Sequence, residues 1–153
     1  MILVSSCLAG LKVRYDGGDC FNQRIQQLIE QKKAVSVCPE VLGGLPTPRV
    51  PAEIIGGDGD DVINEKAKVF DQNGKDVTEM FLKGAYAALD KAKEIGATMV
   101  ILKENSPSCG SSFIYNGKFN GKKIAGSGVT AALLRKNGIK VISEKEFLYS
   151  DIL

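Results

Sequence analysis

The sequence contains no histidine. That absence excludes the Ser-His-Asp triad, the Cys-His nucleophile pair and every imidazole metal site. Any proton transfer falls to Asp, Glu, Lys, Tyr, Cys, a chain terminus or water. Long apolar runs are missing too: nothing approaches the ~20 residues of a membrane-spanning helix. The opening MILVSSCLAG has no basic stretch ahead of its apolar residues, so it is not read as a signal peptide. Charge of one sign is scarce, with 20 Lys and Arg against 18 Asp and Glu, net +2. That balance gives no case for a nucleic acid polymer or an anionic membrane surface as partner.

What is present is ordinary for a globular protein: 153 residues, 44% hydrophobic and 25% charged, expected as one domain spanning residues 1–153. A chain of this length buries roughly 70% of the surface it exposes when unfolded, so it needs no disulfide staples. The expected location is the cytoplasm. Persistent disulfides are rare there, and the four cysteines more often serve metal binding or catalysis. The plainer alternative is that each is a small buried hydrophobe, which free cysteine resembles.

The hydrophobic pattern predicts a strand over 2–6 (ILVSS), a helix over 22–33 capped by Asn22 with Lys32 and Lys33 at its end, and a strand over 34–38 (AVSVC). Residues 39–61 are rich in Gly and Pro and read as extended, with one or two short strands further on and a turn at Asn73-Gly74. A long helix is predicted over 77–95, with Thr78 as candidate N-cap and Gly96 closing it. A strand over 98–102, a hairpin turning at Asn116-Gly117 or Asn120-Gly121, a helix over 127–137 and a strand over 139–142 complete the series. Strands alternating with helices imply an α/β fold: an open, mostly parallel, Rossmann-like sheet with helices on both faces and a small β-hairpin insertion.

In such sheets ligands bind beyond the carboxyl ends of the strands. Cys7, Cys38 and Cys109 each follow a predicted strand, so parallel topology carries all three to one edge. Three thiols without histidine suit a soft metal centre with one open position. Both zinc with three protein ligands plus water and a [4Fe–4S] cluster with three cysteine ligands and one free iron meet that description. A redox thiol pair is a further option. Cys20, after a DGGD loop, follows no strand and reads as an incidental thiol. Glu40, two residues past Cys38, would lie at the rim of such a site and could move a proton, although a helix-entry or ion-pair role is the plainer one. Tyr15 and Asp16 face the same choice. Arg49, held between prolines and valine, could grip an anion or a carbonyl oxygen, or be a surface charge. Ser106, Ser108, Ser111 and Ser112 surround Cys109 and could hydrogen-bond sulfur or substrate, or form an ordinary turn. Lys103 would be a base only if desolvated. GGDGD, with Asp58, Asp60, Asp61 and Glu65, lacks both phosphate-loop and EF-hand spacing and is expected to be a solvated loop.

CLAG, VRYDG, VCPE, GGLPTPR, SPSCG and GVTAALLRKNGIKVISE occur in that order along nearly the whole chain. Together they resemble a small bacterial family, long classed as domain of unknown function 523, whose studied members are thiouracil desulfurases. The resemblance implies a [4Fe–4S] cluster held by Cys7, Cys38 and Cys109 with the fourth iron free, and moves the expectation from zinc to iron–sulfur. It implies non-redox hydrolytic C–S cleavage of a thiolated pyrimidine base such as 2-thiouracil, with the free iron capturing sulfide. Glu40, Ser106 and Ser108 are taken as catalytic candidates from their proximity to the ligands. The expected partners are a small thiolated base or sulfide, with a sulfur-acceptor protein as a further possibility. The competing readings are a sulfide carrier or redox sensor without free-base turnover, and a three-cysteine zinc module.

Overall fold

The computed structural model describes residues 1–148. In chain order the first half comprises β1 (Ile2–Ser5), a 3-10 turn (Ser6–Ala9), α1 (Gln23–Glu30), β2 (Ala34–Val37), α2 (Pro39–Leu42), β3 (Ala52–Ile55), α3 (Gly59–Ile63) and β4 (Lys68–Asp71). The second half comprises α4 (Thr78–Glu94), β5 (Met99–Leu102), β6 (Phe113–Tyr115), β7 (Lys123–Ala125), α5 (Val129–Lys136), β8 (Lys140–Ser143) and α6 (Glu144–Leu148).

Four strands form a parallel sheet in the order β2-β1-β5-β8, with Ile2 opposite Ala34 on one side and Met99 on the other. Side chains alternate faces along a strand, and both faces are covered here. Leu3, Val100, Leu102 and Val141 pack with Phe81, Ala85 and Leu89 of α4 and Leu134 of α5. Ile2, Val4, Met99, Ile101 and Ile142 pack with Ile25 and Leu28 of α1 and Phe147 of α6. Burial on both sides explains why these strands read as continuous apolar runs. The expected Rossmann-like α/β architecture is present. The order reverses at β1 and β5, and the crevice above their carboxyl ends is where such sheets bind ligands. Among the described residues no helix is long and apolar enough to cross a membrane.

Local details depart from expectation. α1 starts where Asn22 caps it, its side chain accepting from Ile25 N, but it stops at Glu30, and Lys32 (φ 59°) sits in the following turn. Thr78 is not the N-cap of α4: it is the first helical residue, and Asp76 accepts from its N–H and hydroxyl. GGDGD is not a free loop. Asp58 and Asp61 close a capping box on α3, and Asp60 pairs with Lys136 at 3.6 Å. β3 and β4 pair antiparallel with α3 between them, and the expected turn follows at Asn73-Gly74. The predicted hairpin is β6–β7.

Candidate active site

Chain geometry brings the three strand-end cysteines to one place. Cys7 stands two residues past β1, Cys38 directly after β2, and Cys109 seven residues past β5. All three line one cavity of about 690 Å³ above the strand ends. They ring it and do not meet at a point: among the described residues no three Cys, Asp or Glu side chains come together closely enough to hold a single metal ion.

Each thiol is held against ionisation. Burial pushes Cys7 up to about 12, helped by the neighbouring thiols of Cys20 and Cys38, while the charges of Lys103 and Arg14 pull it back. Burial also raises Cys38, opposed by the backbone N–H groups of Val41 and Glu40 at the start of α2. Cys109 lies well above its usual value because of burial and then the nearby Glu40, Cys38 and Cys7, with the Ser108 hydroxyl acting the other way. Three desolvated thiols packed this close cannot ionise together without added positive charge. A cationic thiophilic group is the counterpart this donor set lacks.

The Cys109 loop is built by a residue the sequence reading passed over. Glu104 is only 5% exposed. Its Oε1 accepts from the backbone N–H groups of Asn105, Ser111, Ser112 and Phe113, and its Oε2 from the Ser111 hydroxyl at 2.8 Å. Burial disfavours its charge, but these donors outweigh burial and lower its pKa below the usual value. The legible signal was position: a carboxylate leading directly into a Ser/Gly loop rich in N–H donors. The loop's carbonyls in turn receive the free N–H groups of α5: Val129 N to Pro107 O, Thr130 N to Ser108 O and Gly128 N to Gly110 O, each at 2.8 Å. Ser106 Oγ accepts from Ser108 N (2.9 Å) and Cys109 N (3.0 Å), and Ser106 lines the cavity. Ser108 does not: it is 1% exposed, beneath Cys109, with its hydroxyl 2.7 Å from Thr130 Oγ1.

Glu40 and Arg49 both line the cavity and form an ion pair. The Arg49 guanidinium also donates to Val13 O (3.0 Å), Pro46 O (3.1 Å) and Thr47 Oγ1 (3.3 Å), and its backbone N–H to Tyr15 O (2.6 Å). Arg49 is therefore no free surface charge: it grips the Glu40 carboxylate and backbone carbonyls of the chain itself, and one side chain ties the loop after Cys7 to the helix after Cys38. Tyr15 lines the cavity, whereas Asp16 is spent on its own turn, accepting from Gly18 N. Lys103 lines the cavity and pairs with Glu144 at 3.8 Å. Cys20 stays outside the cavity lining, packed against the α1 side of the core, its N–H donating to Cys7 O.

The model of the 2-thiouracil desulfurase family matches residues 2–146. The chain belongs to that family. The family resemblance carried by the sequence motifs is thereby confirmed, together with the desulfurase class it implied. A relative from Bacillus subtilis (strain 168), described as uncharacterized protein YbbK, is 61% identical over 153 residues and is covered end to end by the chain. A solved structure, the [4Fe-4S]-dependent thiouracil desulfidase TudS, is 45% identical with a TM-score of 0.85, and the match covers 97% of this chain and 93% of that one.

Proposed function

We propose that this desulfurase family member hydrolyses the C–S bond of a thiolated pyrimidine base such as 2-thiouracil, using a [4Fe–4S] cluster held by Cys7, Cys38 and Cys109. The observation that carries this reading is the ring of three thiols on one cavity, two of them buried and Cys38 half-buried, in a chain without histidine. Among the described residues no three such side chains gather at single-ion spacing, which favours a group of several irons over zinc. Cys7, Cys38 and Cys109 would hold such a cluster, and it would supply Lewis acidity for the thiocarbonyl sulfur. The reaction balances as thiocarbonyl plus water giving carbonyl plus hydrogen sulfide, with no electrons gained or lost.

The chain's own residues then have separate tasks. Glu40, fixed by Arg49 at the cavity wall, receives a proton from the attacking water. Ser106 already accepts two backbone N–H groups, so its O–H is left to donate to the substrate. Ser108 supports the Cys109 sulfur from below and sets its direction. Lys103 and Arg14 place positive charge where the thiolates must form.

The test is anaerobic purification and reconstitution with iron, acid-labile sulfide and zinc counted per chain, followed by 2-thiouracil turnover. About four irons and four sulfides are expected, with free sulfide released in step with uracil. Base turnover without free sulfide would point to transfer onto an acceptor protein. Cys38→Ala should abolish both cluster and activity, and full retention of activity sinks the scheme. Glu40→Gln should keep the cluster and slow turnover; an unchanged rate removes Glu40 from the chemistry.

A further inference from the structure

Four aromatic residues line the cavity: Tyr15, Phe81, Tyr115 and Phe119. Three are committed elsewhere. Phe81 is 2% exposed, on the core-facing side of α4. The Arg14 guanidinium sits over Tyr15 at 5.7 Å, and the Lys123 ammonium over Tyr115 at 5.9 Å. Among the described residues no cation or ring covers Phe119, which is half-buried in the turn between β6 and β7.

Phe119 is also held at a cost. Its φ is +53°, in the left-handed region that bulky side chains avoid. Strained residues of this kind persist where the surroundings over-determine them, often at ligand clamps. The surroundings here include a buried carboxylate: Glu53 on β3, 8% exposed and also lining the cavity, accepts from Gly117 N (2.9 Å) and Phe119 N (3.3 Å) on Oε1. The turn does not need Glu53 to close. Asn116 N donates to Lys122 O at 3.0 Å, Lys118 N to the Asn116 side chain, and Lys122 N to the Asn120 side chain. What Glu53 adds is the link to β3. Gly117 follows suit, because at φ +86° a Cβ there would lie 2.6 Å from Ile54 O. The turn is pressed onto β3, and Phe119 is fixed at the cavity wall.

We propose that Phe119 is a specificity-determining residue on whose ring the planar heterocycle of the substrate stacks, and that Glu53 is the positioning residue that holds it there. This rests on the thiolated-base reading above and adds how the base is recognised: by its planar ring, before any chemistry at sulfur.

The experiment uses the anaerobically reconstituted protein, with iron content and thermal midpoint checked for each variant. KM and kcat are measured for 2-thiouracil, and the Kd of the unreactive product uracil by calorimetry. Stacking of a base on an aromatic ring is worth roughly ten- to a hundredfold in affinity. Phe119→Leu, similar in bulk but without a π-face, should raise both KM and the uracil Kd by about that factor, with kcat within about threefold. Phe119→Tyr should keep both near the wild type. Glu53→Ala should behave like Phe119→Leu, and Glu53→Gln, which retains an acceptor oxygen, like the wild type. If Glu53→Ala fails to fold, the comparison of Leu with Tyr at position 119 still decides. Equal KM and Kd in the Leu and Tyr variants overturn the proposal. A wild type that carries its cluster but leaves 2-thiouracil intact overturns the desulfurase reading on which it rests.

Discussion

Glu104 offers a prediction that can be worked through from the hydrogen-bond geometry. Replacing it by Ala strips the acceptor from four backbone N–H groups and the Ser111 hydroxyl at once. A buried donor left unsatisfied costs about 1–3 kcal/mol, but a loop can relax and admit water, so the five losses do not add. We expect about 3–5 kcal/mol of lost stability for Glu104→Ala, the range seen when a buried charged group's network is broken. Glu104→Gln keeps one acceptor oxygen and loses the charge, and should cost about 1–2 kcal/mol. The two substitutions also separate by pH. The folded carboxyl titrates below its usual 4.5 because its donors outweigh burial. The charged form therefore contributes stability that is fully present above pH 4.5 and is lost as pH falls through the lower folded value. Urea unfolding of the cluster-free protein at pH 7 and at successively lower pH reads both effects, and the difference between wild type and Glu104→Gln cancels every other titrating group. That difference should shrink as the solution is acidified. A Glu104→Ala loss under about 1 kcal/mol at pH 7, or a Gln difference that stays constant with pH, refutes the account of Glu104 as the acceptor that organises the Cys109 loop.

Other substitutions probe the supports of the remaining two cysteines. A Cβ on Gly84 would lie 1.9 Å from Pro39 O, in the contact that seats α2 on α4. Gly84→Ala should push the segment after Cys38 outward, lower stability by about 2–4 kcal/mol and reduce iron retained after gel filtration; unchanged iron content argues that Cys38 is held by other contacts. Arg49→Lys keeps the charge but not the planar fork that reaches Glu40, Val13 O and Pro46 O together. Its cost should be about 2–3 kcal/mol by urea unfolding, with turnover reduced; a Lys variant equal to wild type in both means that the ion pair alone suffices. Asp76→Ala removes the acceptor for the N–H and hydroxyl of Thr78 and should lower the thermal midpoint by the equivalent of about 1 kcal/mol, with no effect on iron content.

The parts of the fold that were legible in the sequence are those governed by local rules. Asn22 capping α1, the largely apolar runs of β1 and β5, and the turn glycines at 96 and 138 are decided within a few residues. From the strand ends followed the convergence of Cys7, Cys38 and Cys109, because parallel topology leaves few alternatives. The supports were not legible, because their partners are distant or undirected in sequence. Nothing local to Glu53 says that it meets Gly117 and Phe119, 64 and 66 positions further along the chain. GGDGD was misread for a different reason. Its acidic residues look like a solvated or cation-binding loop, and only the φ/ψ at Asp58 turns two of them into a reciprocal cap.

The same distinction bears on how the site works. The three cysteines sit on segments whose positions the sheet fixes, but each segment leaves its strand by a turn that the sheet does not control. Charged side chains hold these turns: Arg49 ties the loop after Cys7 to the helix after Cys38, and Glu104 holds the loop carrying Cys109, as Glu53 holds the turn carrying Phe119. Charged groups are costly to bury, and backbone amides and carbonyls satisfy each of these. Such an anchor resists displacement more than an apolar contact does, because moving the loop would strand an ion and several backbone groups together. A cavity wall that brings three desolvated thiols together on separate turns needs that stiffness. The sheet determines where the cysteines arrive, and Arg49 and Glu104 determine how closely they stay there.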